Sequence, residues 1–227
     1  MTPRIVEILY QMIAFLFAIS VHESAHAWTA SRCGDPTARM LGRVSLNPIR
    51  HIDPIGTIVL PLVAAISGIP LLGWAKPTPV DPRNFRHPVM DDILTSVAGP
   101  VSNFIVATAA LLLLGGISLS SSSGRDLVVG LVAGGDGFAS DSMLAPIAKL
   151  LFALMLINIV LAVFNLIPVP PLDGGRVLTA LLPPPIARAF ARVERIGIIV
   201  VLLVVFNTGL LSRLVSPVLT FFLRLAR

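Results

Sequence analysis

The chain has 227 residues, of which 55% are hydrophobic and only 13% are charged, and its mean hydropathy is +0.89. Soluble domains carry about 25% charged residues, so the composition excludes an ordinary soluble domain and predicts several membrane-spanning helices. The net charge of +5 would suggest a nucleic-acid ligand in a soluble protein. Here the basic residues lie in loops beside apolar runs, so we expect no nucleic-acid partner and assign the charge to loops that flank membrane helices.

Six apolar runs follow one another along the chain. The first, third and fourth are long enough to cross a hydrocarbon core of about 30 Å, which takes about 20 helical residues. The fifth is short, the sixth is weaker, and the second contains Pro61 and the helix-breaking sequence Ser67-Gly68-Ile69-Pro70. The stretch 118–145 is rich in glycine and serine, which predicts a flexible external loop. The runs are Ile5–Trp28, Ile55–Leu72, Ile93–Leu119, Pro146–Ile167, Ile196–Leu211 and Leu214–Leu225.

The sequence His22-Glu23-Ser24-Ala25-His26 stands near the end of the first apolar run. Residues four apart lie on one face of a helix, so both imidazoles can reach one metal ion, with Glu23 about 100° round the helix from His22. This is the HExxH arrangement, in which two histidines bind Zn²⁺ and the glutamate is the general base for a metal-bound water. Ionisable residues inside a membrane run are costly unless they are paired or functional. The alternative is a polar cluster that forms hydrogen bonds between helices.

A catalytic zinc ion uses three protein ligands and a water, so one more ligand is needed. The single cysteine, Cys33, excludes a cysteine-based zinc cluster. Asp173 follows the fourth run in Asn165-LIPVPPLDGG, where prolines force an irregular backbone that is tolerated at membrane depth only beside protein or a polar cavity. Asp173 could instead cap the helix that begins near Gly174. The other candidates, most of them in polar loops, are His51, His87, Asp35, Asp53, Asp81, Asp91 and Asp92.

The sequence VHESAH in one membrane run and FNLIPVPPLDGG after a later one together resemble the site-2 protease family of intramembrane zinc metalloproteases. The resemblance implies that His22, His26 and Asp173 hold one zinc ion. It also implies that Glu23 is the catalytic glutamate and that Asn165 orients the substrate or its oxyanion. The family's Asn-Pro pair is spread out here, because two residues separate Asn165 from the next proline.

Further motifs resemble the same family. The segment Ala98-Gly-Pro-Val-Ser-Asn103 in the third run is similar to the family's AGPxxN sequence, and Asn103 is a second candidate for a hydrogen bond to the oxyanion. Its alternative role is hydrogen bonding between helices. The loop sequences LNP, HIDP and GWAKP, between residues 46 and 77, look like the compact bacterial branch, which lacks PDZ and CBS domains. The resemblance covers roughly residues 15–182.

The three expected ligands constrain the topology. For His26 and Asp173 to hold one ion, the end of the first run and the end of the fourth must lie on one side of the membrane, so one run between them must return to its own side. We predict that run 55–72 is this re-entrant or half-helix hairpin. The zinc side then carries eleven of the 17 basic residues, and the positive-inside rule makes it cytoplasmic. These residues are Arg32, Arg39, Arg43, Arg50, Lys76, Arg83, Arg86, Arg176, Arg188, Arg192 and Arg195.

These features predict an all-α polytopic membrane protein with about four to five transmembrane helices and a hairpin near residues 55–72. We interpret residues 1–227 as one membrane-embedded domain with a core at about 15–182 and C-terminal helices at about 194–225. The predicted function is hydrolysis of peptide bonds within or at the edge of transmembrane segments, on the cytoplasmic side of the cell membrane. The predicted partners are the lipid bilayer and a transmembrane protein or peptide substrate. The alternative is a catalytically inactive adaptor or a metal-binding transport protein.

Overall fold

The computed structural model describes residues 3–67, 73–134, 143–191 and 208–225, and all regular elements in these ranges are helical. The all-α class predicted from the sequence is therefore confirmed. A π-helical turn at Pro54–Val59 leads into α3, and single 3-10 turns lie at Pro48–Arg50 and Pro82–Asn84. The helices are α1 (Pro3–Cys33), α2 (Thr37–Met40), α3 (Leu60–Ser67), α4 (Pro88–Ser120), α5 (Ser122–Val132), α6 (Ala145–Asn165), α7 (Asp173–Leu181), α8 (Pro184–Ala191) and α9 (Leu210–Leu225).

Three of these helices, α1, α4 and α6, are long and apolar enough to cross a membrane. They correspond to the first, third and fourth apolar runs, as predicted. The fifth apolar run, Ile196–Leu211, would supply a further span, and most of it lies outside the described residues. The number of spans therefore stays a prediction. The three apolar segments are Arg4–Cys33, Pro88–Ser120 and Ala145–Asn165.

Small residues line the contacts among these three helices. Ala14 and Ala18 of α1, Ala107 of α4 and Ala162 of α6 are fully buried. Small side chains allow helix backbones to approach closely in a membrane, where van der Waals contact and interhelical hydrogen bonds replace the hydrophobic drive. Close packing of α1, α4 and α6 therefore places polar side chains of the three helices within hydrogen-bonding reach of one another.

The chain between α1 and α4 leaves and returns at the same end of the helix bundle. The Arg86 backbone N–H donates to the carbonyl of Cys33 at 3.1 Å, so the end of α1 lies beside the approach to α4. Within this segment the Trp74 N–H donates to the carbonyl of Gly56, also at 3.1 Å. Residues 56 and 74 thus lie side by side although α3 intervenes. The chain therefore folds back on itself here, in agreement with the predicted hairpin, whose re-entry into the membrane stays a prediction; residues 68–72 lie outside the described residues.

The prediction of a flexible loop at 118–145 is wrong over much of its length. Helix α4 continues to Ser120, and α5 occupies Ser122–Val132. The hydroxyl of Ser121 accepts a hydrogen bond from the Gly124 N–H at 3.0 Å and so caps α5. The apolar residues Leu127, Val128 and Leu131 form one buried face against the core. Ser121 thus caps a short helix in a stretch that was predicted to be a loop. Residues 135–142 lie outside the described residues.

Candidate metal centre

The two histidines of the HExxH sequence and Asp173 meet at one point. Helix α1 carries His22 and His26 on one face, and their Nε2 atoms lie 3.0 Å apart. Asp173, the first residue of α7, places Oδ2 at 3.2 Å from His22 Nε2 and Oδ1 at 3.4 Å from His26 Nε2. All three residues are less than 10% exposed, and one potential ligand atom from each lies within 4.8 Å of the others.

The outer nitrogen of each imidazole is held by α4. His22 Nδ1 lies 2.6 Å from Oδ1 of Asn103, and His26 Nδ1 lies 2.7 Å from the carbonyl oxygen of Thr95. A histidine that ligates a metal through Nε2 carries its proton on Nδ1, and an acceptor there fixes the tautomer and the ring orientation. Both imidazoles therefore present Nε2 toward the carboxylate of Asp173.

Gly99 gives the centre its space. It lies one turn from Thr95 and one turn from Asn103, on the same face of α4. A Cβ atom at this position would lie 2.4 Å from His26 Nε2 and 2.6 Å from His22 Nε2, closer than real Cβ contacts occur. The absent side chain thus leaves room directly over the two Nε2 atoms.

Asp173 has the properties of a metal ligand rather than a helix cap. It makes no capping hydrogen bond, because the N-cap position of α7 is Leu172. Its buried Oδ2 has no hydrogen-bond partner among the described residues, although His22 Nε2 is close. Burial alone would raise the pKa of this carboxyl, but His26 and His22 outweigh that effect and hold the pKa well below its usual range. Two imidazoles and an ionised carboxylate around an open space fit a zinc ion.

Two glycines allow α7 to start beside this centre. A Cβ at Gly174 would lie 2.3 Å from the carbonyl oxygen of Leu166, and one at Gly175 would lie 2.5 Å from the nitrogen of Pro170. The first turn of α7 therefore lies directly against the irregular connection that follows α6. Arg176 adds an ion pair with Asp92 of α4, with 2.7 Å between Nη2 and Oδ1. These contacts set the position of the Asp173 carboxylate.

Glu23 faces the segment at residues 73–80, which has no regular secondary structure. Its Oε2 accepts hydrogen bonds from the backbone N–H of Thr78 at 2.8 Å and from the Thr78 hydroxyl at 2.7 Å. Arg43, which is buried, donates to the carbonyl oxygens of Lys76 and Pro77 and so fixes this segment. Sequence reasoning missed both Thr78 and Arg43, which lie in loops without a recognisable motif.

The two asparagines predicted to contact the oxyanion occupy different positions. Asn103 is fully buried, and its amide NH₂ donates to Oδ1 of Asn158 at 2.7 Å and to the carbonyl of Ala18 at 3.3 Å. Both of its N–H groups are thus used inside the bundle. Asn165 is half-buried at the end of α6 and donates to the carbonyl of Leu161 at 2.9 Å. Asn158 was missed, although an amide in an apolar run was a signal for it.

The remaining candidate ligands form other contacts, away from this group. Asp35, fully buried, accepts hydrogen bonds from Thr37, from Asn84 and from the Asp81 N–H. Asp53 caps the turn at Pro54, and His51 Nε2 lies 2.7 Å from the carbonyl of Ser45. Asp35, Asp53 and His51 therefore connect parts of the segment between α1 and α4 to one another. The other four are Asp81, bonded to Arg83; Asp91, bonded to the His87 N–H; His87 itself; and Asp92, bonded to Arg176.

Comparison with known proteins agrees with the geometry. The family model for "Peptidase family M50" matches residues 10–206, most of the chain. The chain belongs to peptidase family M50. The M50 match covers the HExxH sequence, the α4 segment that holds the histidines, and Asp173, and it extends beyond the region 15–182 on which the sequence resemblance rests. This confirms the site-2 protease family predicted from the motifs.

Named relatives of this M50 protein are bacterial. It is 39% identical over 210 residues to "Putative zinc metalloprotease YwhC" of Bacillus subtilis (strain 168), which covers 92% of this chain and 85% of the relative. It is 30% identical over 197 residues to "Putative zinc metalloprotease Rip2" of Mycobacterium tuberculosis (strain H37Rv), covering 85% of the chain and 64% of that protein. It is 34% identical over 117 residues to "Regulator of sigma-E protease RseP" of Salmonella typhimurium (strain 14028s), covering 45% of the chain and 25% of that protein. No solved structure matches the chain significantly.

The relatives' names and the site's donor set agree on the cofactor. Zinc is the metal of this family member, and His22, His26 and Asp173 are the residues in the described part of the chain that are placed to hold it. The three long apolar helices make the chain a membrane protein.

Proposed function

We propose that this protein is an intramembrane zinc metalloprotease that cleaves peptide bonds within or at the edge of transmembrane segments. The observation that carries the proposal is the position of the candidate metal centre. His22 and His26 lie on α1, which is apolar enough to span a membrane, and Asp173 contacts them from the segment that follows α6, a second helix of this kind. Ionisable residues in a membrane-spanning helix are costly unless they are paired or functional, so this grouping favours a reaction at the membrane.

Each residue of the centre has a proposed role. Zinc, when bound, polarises a peptide carbonyl and makes water more acidic. Glu23 takes a proton from the attacking water and passes it to the leaving amine. Among the described residues, the side-chain hydrogen bonds of Glu23 are to Thr78 and use Oε2, so Oε1 is left to receive the proton. Thr78 thereby fixes the orientation of the carboxylate.

The geometry changes the proposed roles of the two asparagines. Asn103 holds the imidazole of His22, and because both of its N–H groups donate within the bundle, we assign it to positioning rather than to the oxyanion. Asn165 is partly exposed and uses one N–H for Leu161, so its second N–H remains the proposed donor to the oxyanion.

We further propose that the substrate is a membrane protein and that the centre faces the cytoplasmic side of the cell membrane. The stretches of sequence expected on the side of Asp173 hold eleven of the 17 basic residues, which the positive-inside rule assigns to the cytoplasm. A reporter fused near residue 80 should therefore read as cytoplasmic, and one near residue 130 as external. The opposite result at residue 80 would overturn this orientation.

The deciding experiment compares the wild type with Glu23→Gln on a transmembrane peptide substrate. The full chain is purified in detergent, its zinc content is measured, and cleavage is followed by mass spectrometry. Glu23→Gln should retain zinc and lose cleavage at least 100-fold, since general base catalysis contributes about 10²–10⁴-fold. Glu7→Gln is the matched control, because Glu7 is an exposed glutamate at the other end of the same helix. Equal cleavage by Glu23→Gln would refute the role of Glu23. Zinc binding without cleavage by the wild type would instead favour an inactive adaptor or a metal carrier.

A further inference from the structure

A chain of hydrogen bonds leads from the metal centre into α6. His22 Nδ1 contacts Asn103 Oδ1 at 2.6 Å, and Asn103 Nδ2 contacts Asn158 Oδ1 at 2.7 Å. Asn158 Nδ2 in turn donates to the carbonyl oxygen of Leu154, one turn earlier in α6, at 2.8 Å. We propose that Asn158 is a positioning residue for the metal centre, acting on His22 through Asn103. The proposal rests on the proposed function, in which His22 binds zinc.

Zinc bound to His22 would determine which atom donates and which accepts in every one of these hydrogen bonds. If His22 binds zinc through Nε2, Nδ1 carries the proton and must donate, so Asn103 must turn its oxygen toward the imidazole. The NH₂ group of Asn103 then points away from His22 and needs an acceptor. Asn158 provides that acceptor because the Leu154 carbonyl binds its NH₂ group and holds its oxygen toward Asn103. For each of the two asparagines, only one of the two orientations of the side-chain oxygen and NH₂ group satisfies these hydrogen bonds.

The two histidines differ in what holds them. The acceptor for His26 is the backbone carbonyl of Thr95, which is part of α4 and cannot rotate independently. The acceptor for His22 is a side chain, so its position depends on two torsion angles of Asn103 and on what restrains them. Asn158 and the more distant carbonyl of Ala18 supply that restraint. Loss of Asn158 should therefore affect the centre through His22 alone.

Burial makes this arrangement sensitive to a single substitution. Asn103 and Asn158 are both fully buried, and so are the apolar side chains of Met155 and Ile159, which lie beside Asn158 on α6. An unsatisfied N–H in such surroundings is costly, so removing Asn158 should favour rotation of the Asn103 side chain toward another partner. Rotation would take Oδ1 away from His22. A purely structural role as a bond between α4 and α6 would instead change stability and leave metal affinity unchanged.

The test measures zinc affinity of the full-length protein in detergent by competition with a chelator, together with thermal stability. Asn158→Leu should weaken zinc binding about 10-fold and Asn103→Leu 10- to 100-fold, the range for losing a residue behind a metal-binding histidine. Asn103→Leu/Asn158→Leu should match Asn103→Leu alone, because Asn158 acts through Asn103. Met155→Ala is the control: it removes a fully buried α6 side chain one turn from Asn158 and should lower stability while zinc affinity stays at the wild-type value.

A conservative variant keeps the test decisive if Asn158→Leu does not fold. Asn158→Gln retains both an amide oxygen that can accept from Asn103 and an NH₂ group, and should restore zinc affinity to within about 3-fold of the wild type, against the about 10-fold loss expected when the acceptor is removed. A Co²⁺-loaded sample should show an altered ligand-field spectrum in Asn158→Leu and an unaltered one in Met155→Ala. Unchanged zinc affinity in a folded Asn158→Leu protein, or independent multiplicative losses in the double variant, would overturn the inference. Failure of the wild type to bind zinc would instead contradict the proposed function.

Discussion

Replacing Gly99 with alanine is the sharpest perturbation of the metal centre that leaves every proposed ligand in place. The new Cβ would lie 2.4 Å from His26 Nε2 and 2.6 Å from His22 Nε2, about 1 Å short of an ordinary contact of 3.4 Å. Metal–ligand distances tolerate only about 0.2 Å of change. At least one imidazole must therefore leave its ligating position, or α4 must move away from α1.

The size of the effect follows from the loss of one ligand. Zinc binds four-ligand structural sites with about 10–16 kcal/mol, or roughly 3 kcal/mol per ligand. Since 1.4 kcal/mol corresponds to a tenfold change in affinity, Gly99→Ala should weaken zinc binding roughly 100-fold and abolish peptide cleavage at ordinary zinc concentrations. Zinc affinity is measured by chelator competition on the purified protein, and cleavage on a transmembrane peptide.

Two glycines of the same helix supply the control. A Cβ at Gly115 or at Gly116 would meet no atom within 4 Å, so alanine at these positions should leave zinc affinity and cleavage unchanged. If Gly99→Ala binds zinc as tightly as the wild type, the ion does not lie between the two imidazoles beneath α4. The reasoning that places it there would then be refuted.

Three further predictions concern the surroundings of the centre. Thr78→Val removes one of the two donors to Glu23 and should lower kcat about 10-fold with zinc content unchanged, because the general base loses part of its orientation; an unchanged kcat would show that Thr78 does not orient it. Arg176→Met and Asp92→Asn each break the 2.7 Å ion pair between α7 and α4. In a double-mutant cycle measured by thermal unfolding, the two substitutions should show a coupling energy of about 1 kcal/mol. A coupling energy of zero would show that this pair does not stabilise the packing of α7 on α4. Burial lowers the pKa of His51 below its usual 6.5, so the folded state favours the neutral ring and stability is lost as the pH falls from about 6.5 toward the lower folded value. The loss of unfolding free energy should be at most about 1.4 kcal/mol per pH unit. In a pH series of unfolding measurements, His51→Gln should lack this slope, and the same slope in the variant would refute the reasoning.

The features that the sequence determined by itself are those that depend on local periodicity. An apolar run of helical length predicts a span, and a spacing of four residues places His22 and His26 on one face of that span whatever surrounds it. The hydrogen-bonded turn of a helix sets this geometry without any tertiary contact. Asp173 needed one more step, because its assignment beside the histidines rested on the resemblance of its sequence segment to the site-2 protease family and not on a local spacing.

The tertiary structure decided everything that depends on how helices pack. Asn103 holds His22, and Asn158 holds Asn103, because α1, α4 and α6 approach closely enough for side chains 55 or more residues apart to meet. Thr78 reaches Glu23 because the hairpin returns the chain to the end of α1. Such contacts depend on crossing angles and rotamers, which no local spacing encodes. The same holds for α5, whose Leu127, Val128 and Leu131 are buried against the core where composition alone predicts a loop.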